Sequence, residues 1–225
     1  MLKTEGKRLD EVLEGAEKIN LKNYSKAEVL NFLTVDNINK FYHSTNLNSI
    51  YTKALKLDMT LDDLRGFVKT GNIKEIKSVD LLKQMDNYIN IVLKRGYPFG
   101  FKNLKEFEQF CKEIEKIVIS KLEIKTFDVV IQGSSVRNVK PKDIDVGIFV
   151  DEGTFFDMVT KVFNNPLEGT AKHRGMLHAI ETGKITSSYA KLSKDRRTLE
   201  KAFGKIDLSV ILEKGKFDIK PNFKK

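Results

Sequence analysis

Cysteine is almost missing from this chain, and long apolar runs are missing altogether. Cys111 is the single cysteine among 225 residues, which excludes an intrachain disulfide and a zinc site built on cysteines. It falls on the apolar face of a predicted helix, where we expect a buried core thiol. No apolar run follows the first basic residues or approaches the length of about 18 residues that a membrane helix needs, so we expect neither a signal peptide nor a membrane span.

Acidic side chains are outnumbered, and the formal net charge of +9 favours polyanions as partners. The excess is concentrated between residues 172 and 205, where few acids occur. The basic residues of this segment are Lys172, Arg174, Lys184, Lys191, Lys194, Arg196, Arg197, Lys201 and Lys205. We call it the basic segment, and the role that we favour for it is a surface that faces nucleic acid. A lysine-rich surface that is merely solvated is the alternative.

The first 96 residues carry helical patterns. Ser25–Glu28 and Thr60–Asp63 have the form of capping boxes that open helices. An apolar period from Leu81 to Val92 predicts a further helix that ends near Arg95. A Gly- and Pro-containing stretch then interrupts the chain at residues 96–101. We therefore predict an all-helical N-terminal domain over residues 1–96 and a second domain over residues 97–225.

The second domain mixes helical and strand patterns. A helical stripe from Leu104 to Val118 leads into a strand that ends at Gln132. Further strands are predicted at residues 143–150 and around Asp207, and an edge strand at residues 217–221. Helices are predicted at about 155–163, 171–181 and 187–203. We expect an α+β fold in which helices flank a small mixed sheet.

Two strands of this domain carry carboxylates next to a small-residue turn. Gly133-Ser134-Ser135 follows the first strand, and Asp143 and Asp145 lie two positions apart on the next. Alternate strand residues share a face, so these two side chains point the same way. Hard divalent cations such as Mg²⁺ prefer oxygen ligands of this kind. The turn leaves backbone N–H groups and a hydroxyl for phosphate oxygens. Together these features favour a site for a metal-bound nucleoside triphosphate.

This ordered pattern resembles the nucleotidyltransferase superfamily of the DNA polymerase beta type. Its third carboxylate, on a neighbouring strand, corresponds here to Asp207 in an apolar, β-branched run. The resemblance implies that Asp143, Asp145 and Asp207 are catalytic and hold two Mg²⁺ ions, which activate the attacking hydroxyl and stabilise the leaving pyrophosphate. It also implies a sheet of the nucleotidyltransferase type. Residues for binding the NTP would be Gly133, Ser134, Ser135, Arg137 and Lys142, although Arg137 and Lys142 could equally be solvated loop charges.

A narrower resemblance covers residues 97–218 and concerns the C-terminal toxin domains of bacterial polymorphic toxins, including those of contact-dependent growth inhibition. It rests on four short segments, at residues 97–102, 132–136, 206–210 and 215–218. The spacer before Asp143 is shorter than in many members of that family. The resemblance implies release by one bacterium and action in the cytoplasm of a neighbour, with a cognate immunity protein as partner. The N-terminal helices would then serve entry, immunity-protein binding or substrate binding.

The residues leave other functions open. Gly-Ser is ordinary in turns, and Asp-x-Asp is frequent by chance. An enzyme that nucleotidylates a protein or a small molecule would need the same three acids, and a catalytically inert binding module could keep the same scaffold. The leading hypothesis is an Mg²⁺-dependent nucleotidyltransferase toxin that modifies RNA, with the 3′ end of tRNA as the first candidate acceptor.

Overall fold

The computed structural model describes residues 21–23, 25, 27–28, 44–60, 63–64 and 78–225. In this part of the chain the α-helices are α1 (Ser44–Lys56), α2 (Ser78–Asn87, continued to Arg95), α3 (Leu104–Ile117), α4 (Glu152–Phe163), α5 (Ala171–Thr182) and α6 (Ser193–Phe203). The strands are β1 (Asp128–Gln132), β2 (Ile144–Val150), β3 (Lys184–Thr186), β4 (Ile206–Leu212) and β5 (Phe223–Lys224). The chain is thus α+β, as expected.

Both predicted capping boxes are present. The Ser25 backbone N–H donates to Glu28 Oε2 at 2.7 Å, and the Glu28 N–H donates to Ser25 Oγ at 3.3 Å. Thr60 and Asp63 make the same reciprocal pair at 2.9 and 3.1 Å. The remainder of each predicted helix, through residues 33 and 68, lies outside the described residues.

Helix α2 connects the N-terminal part of the chain to the sheet. It continues through a π-helical stretch (Tyr88–Val92) and a last turn (Leu93–Arg95), and it ends at Gly96, whose φ of +78° few other residues adopt. Tyr88 and Val92 pack in the same apolar core as the strands. The Tyr88 hydroxyl donates to the Asn222 carbonyl at 2.5 Å. The division into domains at residue 96 stays a prediction.

Helix α3 forms where its stripe predicts. Asn103 caps it by accepting the Glu106 backbone N–H at 2.9 Å. Its side chains Phe107, Phe110 and Ile114 are buried, and Cys111 is fully buried among them, as expected. The ring centres of Phe110 on α3 and Phe203 on α6 lie 5.1 Å apart, so the two helices pack directly against each other.

The five strands form one mixed sheet in the order β3-β4-β2-β1-β5. Strands β2 and β4 are parallel neighbours, and the other pairs are antiparallel. Parallel neighbours need a long connection. Here that connection contains α4, α5, β3 and α6. The predicted small mixed sheet flanked by helices is therefore present.

The two faces of the sheet differ in character. One face, which we call the core face, packs against α2 to α6 and carries only apolar side chains. Its members are Val129, Ile131, Ile144, Val146, Ile148, Val150, Ile185, Ile206, Leu208, Val210 and Leu212. The opposite face, which we call the carboxylate face, carries Asp128, Val130, Gln132, Asp145, Gly147, Phe149, Lys184, Thr186, Asp207, Ser209 and Ile211. Its apolar end is covered by Phe217.

Two sequence predictions are wrong in this region. The helix expected from about Ser187 begins only at Ser193, because residues 184–186 form β3 and residues 187–192 turn back toward α6. The edge strand expected at residues 217–221 does not form there. The edge strand beside β1 is β5, which lies farther along the chain. Both errors concern strands of two or three residues, which are too short to show an alternating pattern.

Candidate active site

The register of three strands brings the predicted carboxylates together. On the carboxylate face Gln132 lies opposite Asp145, and Asp145 lies opposite Asp207, so these residues form one row across β1, β2 and β4. Asp143 directly precedes β2. We call the three acids Asp143, Asp145 and Asp207 the carboxylate row. The backbone N–H of Ile144 donates to the Lys205 carbonyl at 2.9 Å, which aligns the starts of β2 and β4.

Asp145 is packed against the small-residue turn. Gly133 has a φ of +70°, and a Cβ added there would stand 1.8 Å from Asp145 Oδ2. The next residue, Ser134, donates its backbone N–H to the Asp145 carboxylate. Glycine is therefore required at position 133 both by the backbone conformation and by the close approach of this carboxylate.

The three acids interact electrostatically. Burial and, to a smaller extent, the negative charges of Asp143 and Asp207 raise the pKa of Asp145 to about 6. The Ser134 N–H and the positive charge of Arg137 act in the opposite direction. Net repulsion among the acids makes the row favourable for a cation.

The turn itself is held from two sides. Ser135 is fully buried, and its Oγ donates to the Gln132 carbonyl at 3.0 Å. The Ser135 carbonyl accepts the Phe99 backbone N–H at 2.7 Å, so the 96–101 stretch supports the turn. Ser134 Oγ makes a long contact, 3.4 Å, with the Asp143 carbonyl. The hydroxyl of Ser134 is thus less constrained than that of Ser135.

Arg137 and Lys142 lie in different surroundings, a distinction that the sequence alone could not provide. Arg137 is partly buried, which lowers the pKa of its guanidinium, while the nearby charge of Asp145 raises it. Its carbonyl accepts a hydrogen bond from Asn87 Nδ2 on α2 at 2.8 Å. Lys142 is exposed on the loop before β2. Arg137 is therefore positioned beside the carboxylates, and sequence reasoning missed that Asn87 contacts it.

Two lysines of the basic segment contact the acids directly. Lys184 Nζ lies 3.3 Å from Asp207 Oδ2, and Lys205 Nζ lies 3.6 Å from Asp143 Oδ2. The Lys184 side chain is 22% exposed, whereas that of Lys205 is 71% exposed. Sequence reasoning included both lysines only as members of the basic segment. Their positions next to acids depend on strand pairing.

The other members of the basic segment differ in whether their side chains are exposed to solvent or engaged within the fold. Arg196 is used inside the fold, since its guanidinium donates to Glu200 at 2.8 Å and to the Ile206 carbonyl at 3.2 Å. The exposed members are Lys172, Arg174, Lys191, Lys194, Arg197, Lys201 and Lys205. Of these, Lys205 forms an ion pair with Asp143.

The donor chemistry of the row fits a divalent cation. Asp143, Asp145 and Asp207 offer the oxygen ligands that Mg²⁺ prefers, and their repulsion would be relieved by it. As the side chains of the described residues stand, no three His, Cys, Asp or Glu groups are arranged to hold a metal ion. Asp207 and Asp143 instead have lysine ammonium groups as their cationic neighbours. Asp143, Asp145 and Asp207 are the residues that would hold the cation.

Among the described residues no helix has the length and apolar character to span a membrane. No family model matches this chain, and no curated protein or solved structure matches it either. The chemistry of the carboxylate row is therefore inferred from its own residues.

Proposed function

We propose that this protein is a nucleotidyltransferase of the polymerase beta type, which transfers a nucleoside monophosphate from an NTP to an acceptor hydroxyl. The observation that carries the proposal is the position of Asp145. It lies between Asp207 on the neighbouring parallel strand and the Gly133–Ser134 turn, in close approach to that turn. A phosphate-binding turn in contact with a row of acids is the arrangement that this reaction needs.

In the proposed reaction the acceptor oxygen forms a bond to the α-phosphorus of the NTP, and the bond to the β-phosphate oxygen breaks. Pyrophosphate leaves, and the acceptor proton passes to a carboxylate of the row. Two Mg²⁺ ions held by Asp143, Asp145 and Asp207 would supply activation of the hydroxyl and stabilisation of the leaving group.

The residues of the turn would bind the triphosphate. The Ser134 hydroxyl, with its single long contact, is available to a phosphate oxygen. The Arg137 guanidinium, near Asp145, would offset charge on the phosphoryl group in transfer. Ser135 contributes mainly by fixing the turn, since its hydroxyl donates to the Gln132 carbonyl.

RNA is the acceptor class that the charge distribution favours, with the 3′ end of tRNA first. Lys184 and Lys205 of the basic segment lie beside Asp207 and Asp143, and the other exposed basic residues of the segment add to its positive charge. Affinity that depends on such contacts falls steeply as salt rises. Under the toxin hypothesis the protein enters a neighbouring bacterium and acts in its cytoplasm, and an acidic immunity protein would neutralise this basic chain.

Label transfer in a bacterial lysate tests the proposal. Purified protein with Mg²⁺ is offered each α-³²P-labelled NTP in turn, beside an Asp143→Ala control. Label in an RNA band that is lost in the control is the expected result, and it also identifies the nucleotide. Label in a protein band would identify a side chain as the acceptor, and transfer that survives ribonuclease would indicate a protein or a small molecule. Equal labelling by the control would refute the assignment of the acids.

A further inference from the structure

Beside the carboxylate row, the same face of the sheet carries a row of three small residues, and one of them has a hydroxyl without a hydrogen-bond partner among the described residues. On the carboxylate face Gly147, Ser209 and Thr186 lie side by side on β2, β4 and β3. Ser209 is only 2% exposed, and its Oγ has no hydrogen-bond partner among the described residues. A buried hydroxyl without a partner destabilises a fold, and a ligand that accepts its hydrogen bond would relieve this cost.

Two longer side chains cover this row. The Phe149 ring lies over Gly147, since a Cβ added there would stand 2.3 Å from the ring. Lys184 begins opposite Ile211, and its Nζ reaches Asp207. Ser209 lies between these two positions on the same face of β4. The side chain of Lys184 therefore passes across Ser209 on its way to Asp207.

The contact that holds Lys184 in this position is weak. Its Nζ approaches one oxygen of Asp207 at 3.3 Å, and the Asp207 side chain is 51% exposed. The ammonium also lies 5.0 Å from the centre of the Phe217 ring. Half-exposed ion pairs contribute little to stability. A divalent cation on Asp207 would repel this ammonium and remove its partner.

We propose that Lys184 exchanges partners when ligands bind. It neutralises Asp207 in the ligand-free protein, leaves Asp207 when a divalent cation binds there, and then donates to a phosphate oxygen of the ligand. Its departure exposes the Ser209 hydroxyl, which can donate to the same phosphate group. This inference rests on the proposed function and adds Lys184 and Ser209 to the site. The phosphate belongs either to the NTP or to the RNA backbone.

The test compares Lys184→Met, Lys184→Arg and the wild type, with Lys216→Met as a matched control. Lys216 is a lysine whose ion pair, 3.7 Å to Glu181, does not involve the acids of the row. Three probes are titrated: Mn²⁺ alone by electron paramagnetic resonance, and inorganic tripolyphosphate or oligouridylate, each with Mg²⁺, by calorimetry. Circular dichroism checks that every variant is folded.

In Lys184→Met we expect the affinities for metal and for phosphate to change in opposite directions. Mn²⁺ should bind more tightly, by about three-fold, because the competing ammonium of a weak ion pair is gone. Tripolyphosphate should bind about ten-fold more weakly, because a charge-assisted hydrogen bond is lost. Lys184→Arg should restore phosphate binding, and Lys216→Met should leave both constants unchanged. Weakening with oligouridylate alone would place the phosphate on the acceptor.

Other outcomes overturn the inference. Unchanged binding of both phosphate probes would leave Lys184 as a counter-ion only. Joint loss of Mn²⁺ and phosphate binding would indicate a structural role. If the wild type transfers label, and Lys184→Met binds all three probes with the same affinity as the wild type, the inference fails and the proposed function stands. If the wild type binds neither Mg²⁺-tripolyphosphate nor oligouridylate and transfers no label, both fail.

Discussion

The two faces of the sheet differ in the side chains that they carry and in how those side chains affect stability. On the core face every side chain is apolar, and Ile148, Leu208 and Val210 are fully buried beneath the helices. The carboxylate face of the same strands holds acids that repel one another and two buried polar atoms without hydrogen-bond partners among the described residues, Gln132 Oε1 and Ser209 Oγ. The core face stabilises the fold, whereas the carboxylate face retains features that destabilise it.

Such a difference is expected where a fold carries a reactive site. Repulsion and unsatisfied polar groups persist when a ligand relieves them, and a protein tolerates them as long as the remaining core is sufficient. The contrast therefore predicts that substitutions on the two faces have opposite effects on stability and on activity.

Asp145→Asn should produce the largest effect. We expect transfer to fall roughly a thousand-fold or more, because an amide cannot supply the charge that the reaction centre requires. The free energy of unfolding without metal should rise, on the order of 1 kcal/mol at neutral pH after allowance for partial exposure, since a crowded carboxylate is removed. Label transfer and urea denaturation of the same preparation measure the two effects. If Asp145→Asn were less stable than the wild type, the repulsion that we infer among the three carboxylates would be contradicted.

Ile148→Ala should have the reverse profile. Ile148 is fully buried on the core face of β2, so its truncation should cost about 3 kcal/mol of unfolding free energy. Transfer per folded molecule should change little, because the opposite face of the strand is untouched. Urea denaturation, with activity assayed well below the transition, gives both values. Loss of activity comparable to that of Asp145→Asn would remove the distinction between the faces.

The pH dependence of the unfolding free energy should report the raised pKa of Asp145 on the carboxylate face. The pKa of Asp145 is raised from 3.8 to about 6 on folding, so the folded protein keeps this proton where the unfolded chain has lost it. Its contribution is most favourable below the unfolded value and is lost as pH rises through about 6. The metal-free wild type should lose on the order of 1 kcal/mol over this range relative to Asp145→Asn. Parallel pH profiles for the two proteins would refute this.

Ser209→Ala should give the smallest effect, with a sign that distinguishes it from an ordinary buried serine. Removing an unpartnered hydroxyl should stabilise the protein by about 1 kcal/mol. Ser135→Ala is the matched control. Its hydroxyl is equally buried but donates to the Gln132 carbonyl, so its removal should destabilise by a similar amount. Thermal denaturation of both variants makes the comparison, and equal shifts would mean that Ser209 is satisfied in solution.

The sequence was informative where a local pattern decides the structure. Strand alternation predicted that Asp143 and Asp145 share a strand face, the family resemblance indicated Asp207, and the stripe of α3 predicted a buried Cys111. Asp145 does lie on β2, whereas Asp143 directly precedes it. Strand pairing was out of reach, because β2 and β4 are neighbours only through a long connection. The ion pair of Lys184 and the contact of Asn87 with Arg137 depend on that tertiary arrangement. Strand β3 was missed because three residues, Lys184 to Thr186, carry no period that distinguishes them from a helix start.

The parallel pairing of β2 with β4 has a consequence for how the protein acquires its site. Asp145 and Asp207 come together only after the chain has passed through α4, α5, β3 and α6. Contacts of such high sequence separation form slowly and late in folding. A chain that is still being synthesised therefore has no complete carboxylate row until β4 has been made and has paired with β2. Strand β4 lies between β2 and β3 and carries buried residues of the core, so the step that supplies Asp207 to the site is also a step that completes the core.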